Sequence, residues 1–318
     1  MRKISTFFLA FFLSALLFAE QLRLISFNMG GRNRTAREVA EMISESGADI
    51  AFIQEIWLSE NNDKATRQIL SVLRKNADWQ VETTVHFILN NYKEITGETY
   101  KTGSNGQNNA IFYNKSKVSA KNLAEEVGFS NFGAETGNPA KNFLFDKNTC
   151  QIVKFTPNSE SKNGANSEFI AINVHLPYTD KAHRARDVAT LERLYARYKQ
   201  KYGVIIAGDF NYYRRDLTKR NFDFVDGSES WYYDPNFGLL TTLSSKADTE
   251  IVFASDYDHF IYSPKIRVVE QMRRAFSESN AKTLAKIQFG KQEFTSSVTF
   301  RKEISDHVPI MIKIETEN

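Results

Sequence analysis

Acids, amides and histidines in this chain fall repeatedly where apolar runs begin or end. Leu24-Ile25-Ser26-Phe27 stops on the amide Asn28, and Ala51-Phe52-Ile53-Gln54 stops on the carboxylate Glu55. Val204-Ile205-Ile206-Ala207 leads through Gly208 to Asp209, Phe210 and Asn211, and Ile172-Asn173-Val174 ends on His175. Asp256-Tyr257-Asp258-His259 opens one further apolar run and Ser305-Asp306-His307 opens another. A carboxylate beside an imidazole can move a proton, and carboxylate and amide oxygens suit a hard divalent cation. One polar residue after a strand is ordinarily a turn former. Recurrence at four strand ends predicts instead one polar cluster at the rim of a sheet. Asp209 and Asn211, two apart, share a face if the backbone there is extended.

The runs themselves must position those ends. Leu22–Phe27, Asp49–Ile53, Ala110–Tyr113, Gln151–Phe155, Phe169–Val174, Val204–Ala207, Phe260–Tyr262 and Val308–Ile314 read as strands, rich in Ile, Val and Phe. Thr35–Glu45, Asn62–Lys75 and Ala182–Lys201 read as helices, with apolar residues three and four apart, as at Val188, Leu191, Leu194 and Tyr198. Polar stretches at Lys101–Asn109, Gly133–Asn142 and Pro157–Ser167 read as loops. Strands and helices shared along the whole length predict an α/β layered domain.

The chain has 318 residues, 42% hydrophobic and 25% charged, with only 15 Gly and 6 Pro, which excludes collagen-like, low-complexity and largely disordered classes. Arg2 and Lys3, the apolar run Phe7–Phe18 and the small Ala19 have the layout of a secretory signal peptide. That run is shorter than the roughly 20 apolar residues of a membrane span. The expected organisation is a signal peptide over residues 1–19 and one domain over residues 20–318, secreted or periplasmic. Cleavage takes away Arg2 and Lys3 and no acid, lowering the formal charge of +3 by two to +1. So nearly neutral a chain binds a polyanion only through a local basic patch. Cys150 is the sole cysteine, so no intramolecular disulfide forms. No feature calls for an obligate protein partner.

The ordered set SFN, QE, NVHL, GDFN, YDHF and SDHVPI, with matches running from Asn28 to Pro309, resembles the endonuclease/exonuclease/phosphatase superfamily, and within it the deoxyribonuclease I-like branch. GDFN and SDHVPI are the most specific of these matches. The resemblance implies a four-layer α/β (α+β) sandwich: two packed mixed β-sheets flanked by helices, with metal-dependent cleavage of phosphoric esters across their loop ends. Such a reaction needs a deprotonated water, stabilisation of charge on the phosphoryl oxygens and help for the leaving alkoxide. Mg²⁺ or Mn²⁺ supplies the second, with Ca²⁺ as an additional ion, and Glu55, Asn28 and Asp306 are the candidate ligands. With five scattered His and one Cys, the chain lacks a zinc-type cluster.

Carried over by motif, His307 is the base or orients the attacking water, with Asp258 holding its other ring nitrogen. Asp209 and Asn211 position water, phosphate or a second ion, and His175 donates to the phosphate or leaving group. Glu98 stands about where the deoxyribonuclease I-like branch pairs a Glu with that second His. Tyr212, Arg214 and Arg215, directly after GDFN, and Arg184 in the first turn of a helix are candidates for substrate binding. His86, His183 and His259 read as structural, and Lys147 is the nearest match to a basic residue that the family often carries.

Three substrate readings stay open. A DNA endonuclease is supported by Glu98 and the Gly/Asn-rich loop behind it. A sphingomyelin or phospholipid phosphodiesterase, or a phosphoinositide phosphatase, is the alternative to that favoured reading; it fits export equally well, and Trp231-Tyr232-Tyr233 could then touch a membrane. A non-catalytic binding module is the third, against which both His and every carboxylate are retained.

Overall fold

The computed structural model describes residues 21–57, 64–83, 107–123, 150–158, 168–225, 241–273, 283–284, 287–289 and 291–315. The strands are β1 Gln21–Asn28, β2 Ile50–Trp57, β3 Trp79–Thr83, β4 Gln107–Asn114, β5 Val118–Asn122, β6 Cys150–Pro157, β7 Phe169–His175, β8 Gly203–Asp209 and β9 Phe224–Val225. There follow β10 Thr242–Leu243, β11 Ile251–Ser255, β12 Asp258–Tyr262, β13 Arg267–Arg273, β14 Thr283–Leu284, β15 Ile287–Phe289, β16 Gln292–Phe294 and β17 Ile310–Glu315. The helices are α1 Ala36–Ser46, α2 Lys64–Leu73, α3 Lys181–Lys199, α4 Arg214–Leu217 and α5 Ser297–Glu303. Residues 1–19, read above as a signal peptide, lie outside the described residues.

Two six-stranded mixed sheets dominate, in the orders β13-β17-β1-β2-β4-β3 and β5-β6-β7-β8-β12-β9. Each has one parallel pair at its centre, β1 with β2 and β7 with β8, and antiparallel neighbours outside it. A parallel pair needs a long crossover, and α1 and α3 lie in those two connections. The amphipathic face of α1, Val39, Ala40 and Ile43, is buried, and the helix ends on Gly47 at φ 64, whose N–H bonds Ser44 O. Asp180 caps α3 by accepting from His183 N at 2.8 Å.

Period-two alternation sorts each strand into two faces. Leu24, Phe52, Phe155, Phe169, Ile205 and Phe260 fill the layer between the sheets, while Ile25 and Ile53 face α1 and α2, and Ile172 and Ile206 face α3. Burying each such side chain contributes about 1.5–3 kcal/mol. The result is the expected sandwich, helices outside and sheets within.

The differences from expectation lie at the sheet edges, at strand ends and in the short elements between residues 214 and 303. The edge strands β3, β5 and β13 were not expected because their sequences carry few apolar residues, and pairing rather than local propensity stabilises them; β9–β11, β14–β16, α4 and α5, all short, were not expected either. Strand β2 does not stop on Glu55: it runs on to Trp57, with its register to β4 shifting between Ile53 and Ile56. In β8, Gly208 adopts φ 141, and a Cβ there would lie 2.0 Å from Val174 O. Only glycine lets β7 and β8 approach so closely just before Asp209. Gly208→Ala should therefore cost at least about 3 kcal/mol, read as a drop in urea midpoint; a midpoint equal to that of the unsubstituted protein would refute this account of the position.

Candidate active site

In both sheets the inward-facing stripe turns from apolar to polar at one end. Leu22 and Leu24 are followed on the same face of β1 by Ser26 and Asn28, and Ile50 and Phe52 of β2 by Gln54. In the other sheet the same position is reached by Asn173 and His175 of β7 and by Asp209 of β8. Parallel pairing sets these ends level, Asn28 opposite Gln54 and His175 opposite Asp209. Antiparallel β12 then brings its first residue, Asp258, opposite Asp209, and antiparallel β17 returns the segment before it, with His307, to the end of β1. Ser305 pins that segment: its Oγ donates to Asn28 O at 2.7 Å and accepts from His307 N at 3.1 Å.

The side chains meet around Asp209, which is 1% exposed. Asn28 Nδ2 donates to Asp209 Oδ2 and to Glu55 Oε1, both at 3.0 Å, while its Oδ1 accepts from Gly30 N at 2.9 Å. Asn211 N donates to Asp209 Oδ1 at 2.8 Å, and Asn211 Nδ2 to Leu176 O at 2.8 Å and to Asp209 Oδ2 at 3.3 Å. His175 Nε2 lies 3.4 Å from Glu55 Oε1 and 3.7 Å from Asp209 Oδ2. His307 Nδ1 is 2.7 Å from Asp258 Oδ2, and its Nε2 is 3.5 Å from Asp209 Oδ2. Beneath this layer Gln54 Nε2 donates across the sheets to Asn173 Oδ1 at 2.7 Å. Glu55, at φ 53, and Asn211, at φ 47, occupy the left-handed region that non-glycine residues seldom adopt.

Burial sets the electrostatics. It pushes the Asp209 carboxyl up, and Asp258 adds to that, against the opposing charges of His307 and His175. For His307 burial acts downward, but Asp258, then Asp209, the hydrogen bond to Asp258 and the charge of Asp306 outweigh it and hold the ring up at about 10.

The donor set fits a divalent cation. Glu55, His175 and Asp209 each present a ligand atom, all within 4.8 Å of one another, and Asp209, Asp258 and His307 form a second such group. Two carboxylates and one imidazole suit a hard or borderline divalent ion. The two other candidate ligands are placed differently. The Asn28 amide turns its nitrogen to the carboxylates and engages its oxygen on Gly30, so it braces them. Asp306 sits at the mouth, 43% exposed and 3.3 Å from Arg301 Nη2.

The expected substrate residues do not line the cleft, a space of about 510 Å³ walled by Glu55, His175, Asp209, Asn211 and His307 together with rim groups. Arg184 is buried, its Nη1 donating to Pro177 O at 2.7 Å and to Tyr178 O, so it ties down the loop after β7. Tyr212 packs against the α3 side, between Arg184 and Arg220. Arg214 Nε bonds Val225 O at 3.3 Å, and Arg215 lies over the Tyr213 ring at 5.0 Å. After Asp209 the chain turns instead of staying extended, which aims these residues sideways. Asn211 still reaches the cleft, through the turn. His259 is buried on the opposite face from Asp258, against Tyr212 O at 2.8 Å, and His183 pairs with Asp187 at 3.5 Å on α3. Glu98, His86, Lys147 and Trp231-Tyr232-Tyr233 lie outside the described residues.

Rim groups that sequence reasoning missed are Tyr178, Tyr257, Lys246 and Arg301, all lining the cleft. Behind the rim, in the turn after β1, lies Arg32, also missed, whose Nη1 is buried with no hydrogen-bond partner and whose charge is felt by Asp306, Arg301 and Glu55. A basic residue four after Asn28, behind two glycines, was the available signal.

Residues 25–307 match the model of the endonuclease/exonuclease/phosphatase family, and the chain belongs to that family. It is thus a hydrolase of phosphoric esters, in a family that depends on divalent metal. No curated protein matches it significantly. Among solved structures it is similar to a family member from Bacteroides thetaiotaomicron, at 16% identity and TM-score 0.57, covering 94% of this chain and 96% of that one. A mannosyl-6-phosphatase of the same organism follows at 16% identity and TM-score 0.55, covering 92% and 99%. D. rerio TDP2 complexed with a single-stranded DNA product gives 14% identity and TM-score 0.51, covering 93% and 100%.

Two predictions follow from the cluster. His175→Ala and His307→Ala should each lose at least about 10²-fold in turnover, while His183→Ala keeps turnover and changes only stability; equal losses at all three would reveal a folding defect in place of chemistry. In chelator, the folded-state value of His307, about 10, stands above its unfolded value near 6.5. The stabilisation it provides is complete below about pH 6.5 and is lost as pH rises through about 10. Urea midpoints should fall across that window, and His307→Gln should flatten the slope.

Proposed function

We propose that this chain is an exported, Mg²⁺- or Mn²⁺-dependent phosphodiesterase that cleaves nucleic acid, with DNA as its substrate. The observation that carries the reading is the Asp209–Asp258–His307 and Glu55–Asn28–His175 cluster on the floor of a cleft whose rim bears Lys246 and Arg301, with Arg32 close behind. An anionic chain is drawn by such a rim. The fold of D. rerio TDP2 holds a single-stranded DNA product, which supports the reading at the level of fold.

Each side chain then has a role. A divalent cation held by Glu55 and Asp209, with His175 beside them, would supply Lewis-acid charge to the phosphoryl oxygens and offset the two carboxylates that hold His307 protonated. His307, with Nδ1 committed to Asp258, offers Nε2 to take a proton from the attacking water. Asn28 keeps the Glu55 and Asp209 carboxylates from turning away. His175, exposed to the cleft, donates to the phosphate or the leaving oxygen. Export is inferred from Arg2, Lys3 and the run Phe7–Phe18.

The deciding assay offers the purified protein single-stranded DNA, duplex DNA, sphingomyelin and a sugar phosphate, each with Mg²⁺ or Mn²⁺. DNA cleavage should vanish in excess chelator and fall steeply from low to physiological salt. Cleavage of sphingomyelin or sugar phosphate with DNA untouched overturns the nucleic-acid reading, and full turnover in chelator overturns the mechanism. Glu55→Gln should lose metal response and turnover together while keeping its thermal midpoint.

A further inference from the structure

Tyr178 is 67% exposed, more than any other large hydrophobic side chain among the described residues, yet its backbone is fixed from several sides. Arg184 Nη1 donates to the carbonyls of Pro177 and Tyr178. Just before them, Leu176 N donates to Asp209 O at 2.9 Å and Leu176 O accepts from Asn211. An aromatic ring is thus held out into water by a rigid loop three residues after His175, on the wall of the catalytic cleft. Tyr257, the residue before Asp258, meets it edge-on with centroids 6.5 Å apart, and Tyr213 lies 5.1 Å beyond at an angle of 55°. The Tyr257 hydroxyl donates to that of Tyr213 at 3.4 Å, and Arg215 sits 5.0 Å above the Tyr213 ring.

Nothing in the catalytic cluster uses these rings, which together form one contiguous, partly exposed aromatic patch at the cleft, a feature that marks binding surfaces. We propose that Tyr178, with Tyr257 and Tyr213 behind it, is a stacking platform for an unpaired nucleobase next to the phosphate in the cleft. This rests on the nucleic-acid reading above and deepens it. A planar base offers a face for a tyrosine. Around the platform stand cations and hydroxyls, Arg215, Lys246, Arg301, Ser244 and Ser245, which suit a phosphate-linked base better than a free sugar with many hydroxyls to satisfy. In a duplex both faces of a base are covered by its neighbours, so stacking on Tyr178 selects single-stranded or frayed substrate.

The test is binding measured by fluorescence anisotropy in chelator, where no cleavage intervenes. The probes are a labelled single-stranded DNA, its duplex, and a backbone of equal length carrying tetrahydrofuran in place of every base. The unsubstituted protein should prefer the single strand to both others. Tyr178→Ala should weaken single-strand binding about five- to a hundredfold and erase the preference over the base-free backbone, and Tyr178→Trp should restore it. Equal affinity for base-bearing and base-free strands, or an undiminished preference in Tyr178→Ala, overturns the platform. Binding with base preference but no cleavage when metal is restored leaves the platform standing and refutes the nuclease reading; no binding of any strand refutes both.

Discussion

A carboxylate almost wholly removed from water, that of Asp209, is the constraint on which the site depends. An ionised acid at such a position is stable only if donors and positive charge converge on it. Here they come from both sheets: Asn28 from β1, Asn211 from the turn after β8, His175 from β7, and His307 from the turn before β17. No one segment could supply them. The carboxylate is therefore a gauge of the packing between the sheets, and any slip in their register would leave it unpaired.

The packing is held to that register by groups with no part in the chemistry. Gln54 reaches across the layer to Asn173, whose own Nδ2 donates to Ile53 O and Ala110 O at 3.1 Å. A buried polar network of this kind tolerates few arrangements, because each alternative strands a donor. Gly208 lets β7 and β8 close up directly below Asp209. The local strain at Glu55 and Asn211 is the counterpart: two left-handed residues turn a carboxylate and an amide into the cleft that regular strand geometry would direct elsewhere.

Between floor and rim there is a division of labour. The floor is built from strand ends and is rigid because it terminates the core. The rim sits outside those strands, Tyr178, Lys246 and Tyr257 on connecting segments and Arg301 on α5. Substrate preference can change there without disturbing Asp209, which is how one fold comes to serve different phosphoric esters.

Much of this was legible in the chain alone. Period-two runs of Ile, Val and Phe ending on Asn28, Glu55, His175 and Asp209 marked the strands and their polar ends, because both signals are local: alternation follows from the strand pleat, and the motif residues are contiguous. What partner each side chain takes was not local. Asn28 and Asp209 are 181 residues apart in sequence, and only the packed sheets decide that the amide braces the acid. The same holds for Arg184, Arg214 and Arg215, which the sequence set beside the site and the fold turned onto carbonyls and a tyrosine ring, and for Tyr178, which nothing in its neighbourhood singled out. Residue type and spacing determined which chemistry was at hand. Register between sheets, a long-range property that no window of sequence contains, decided which side chains face it.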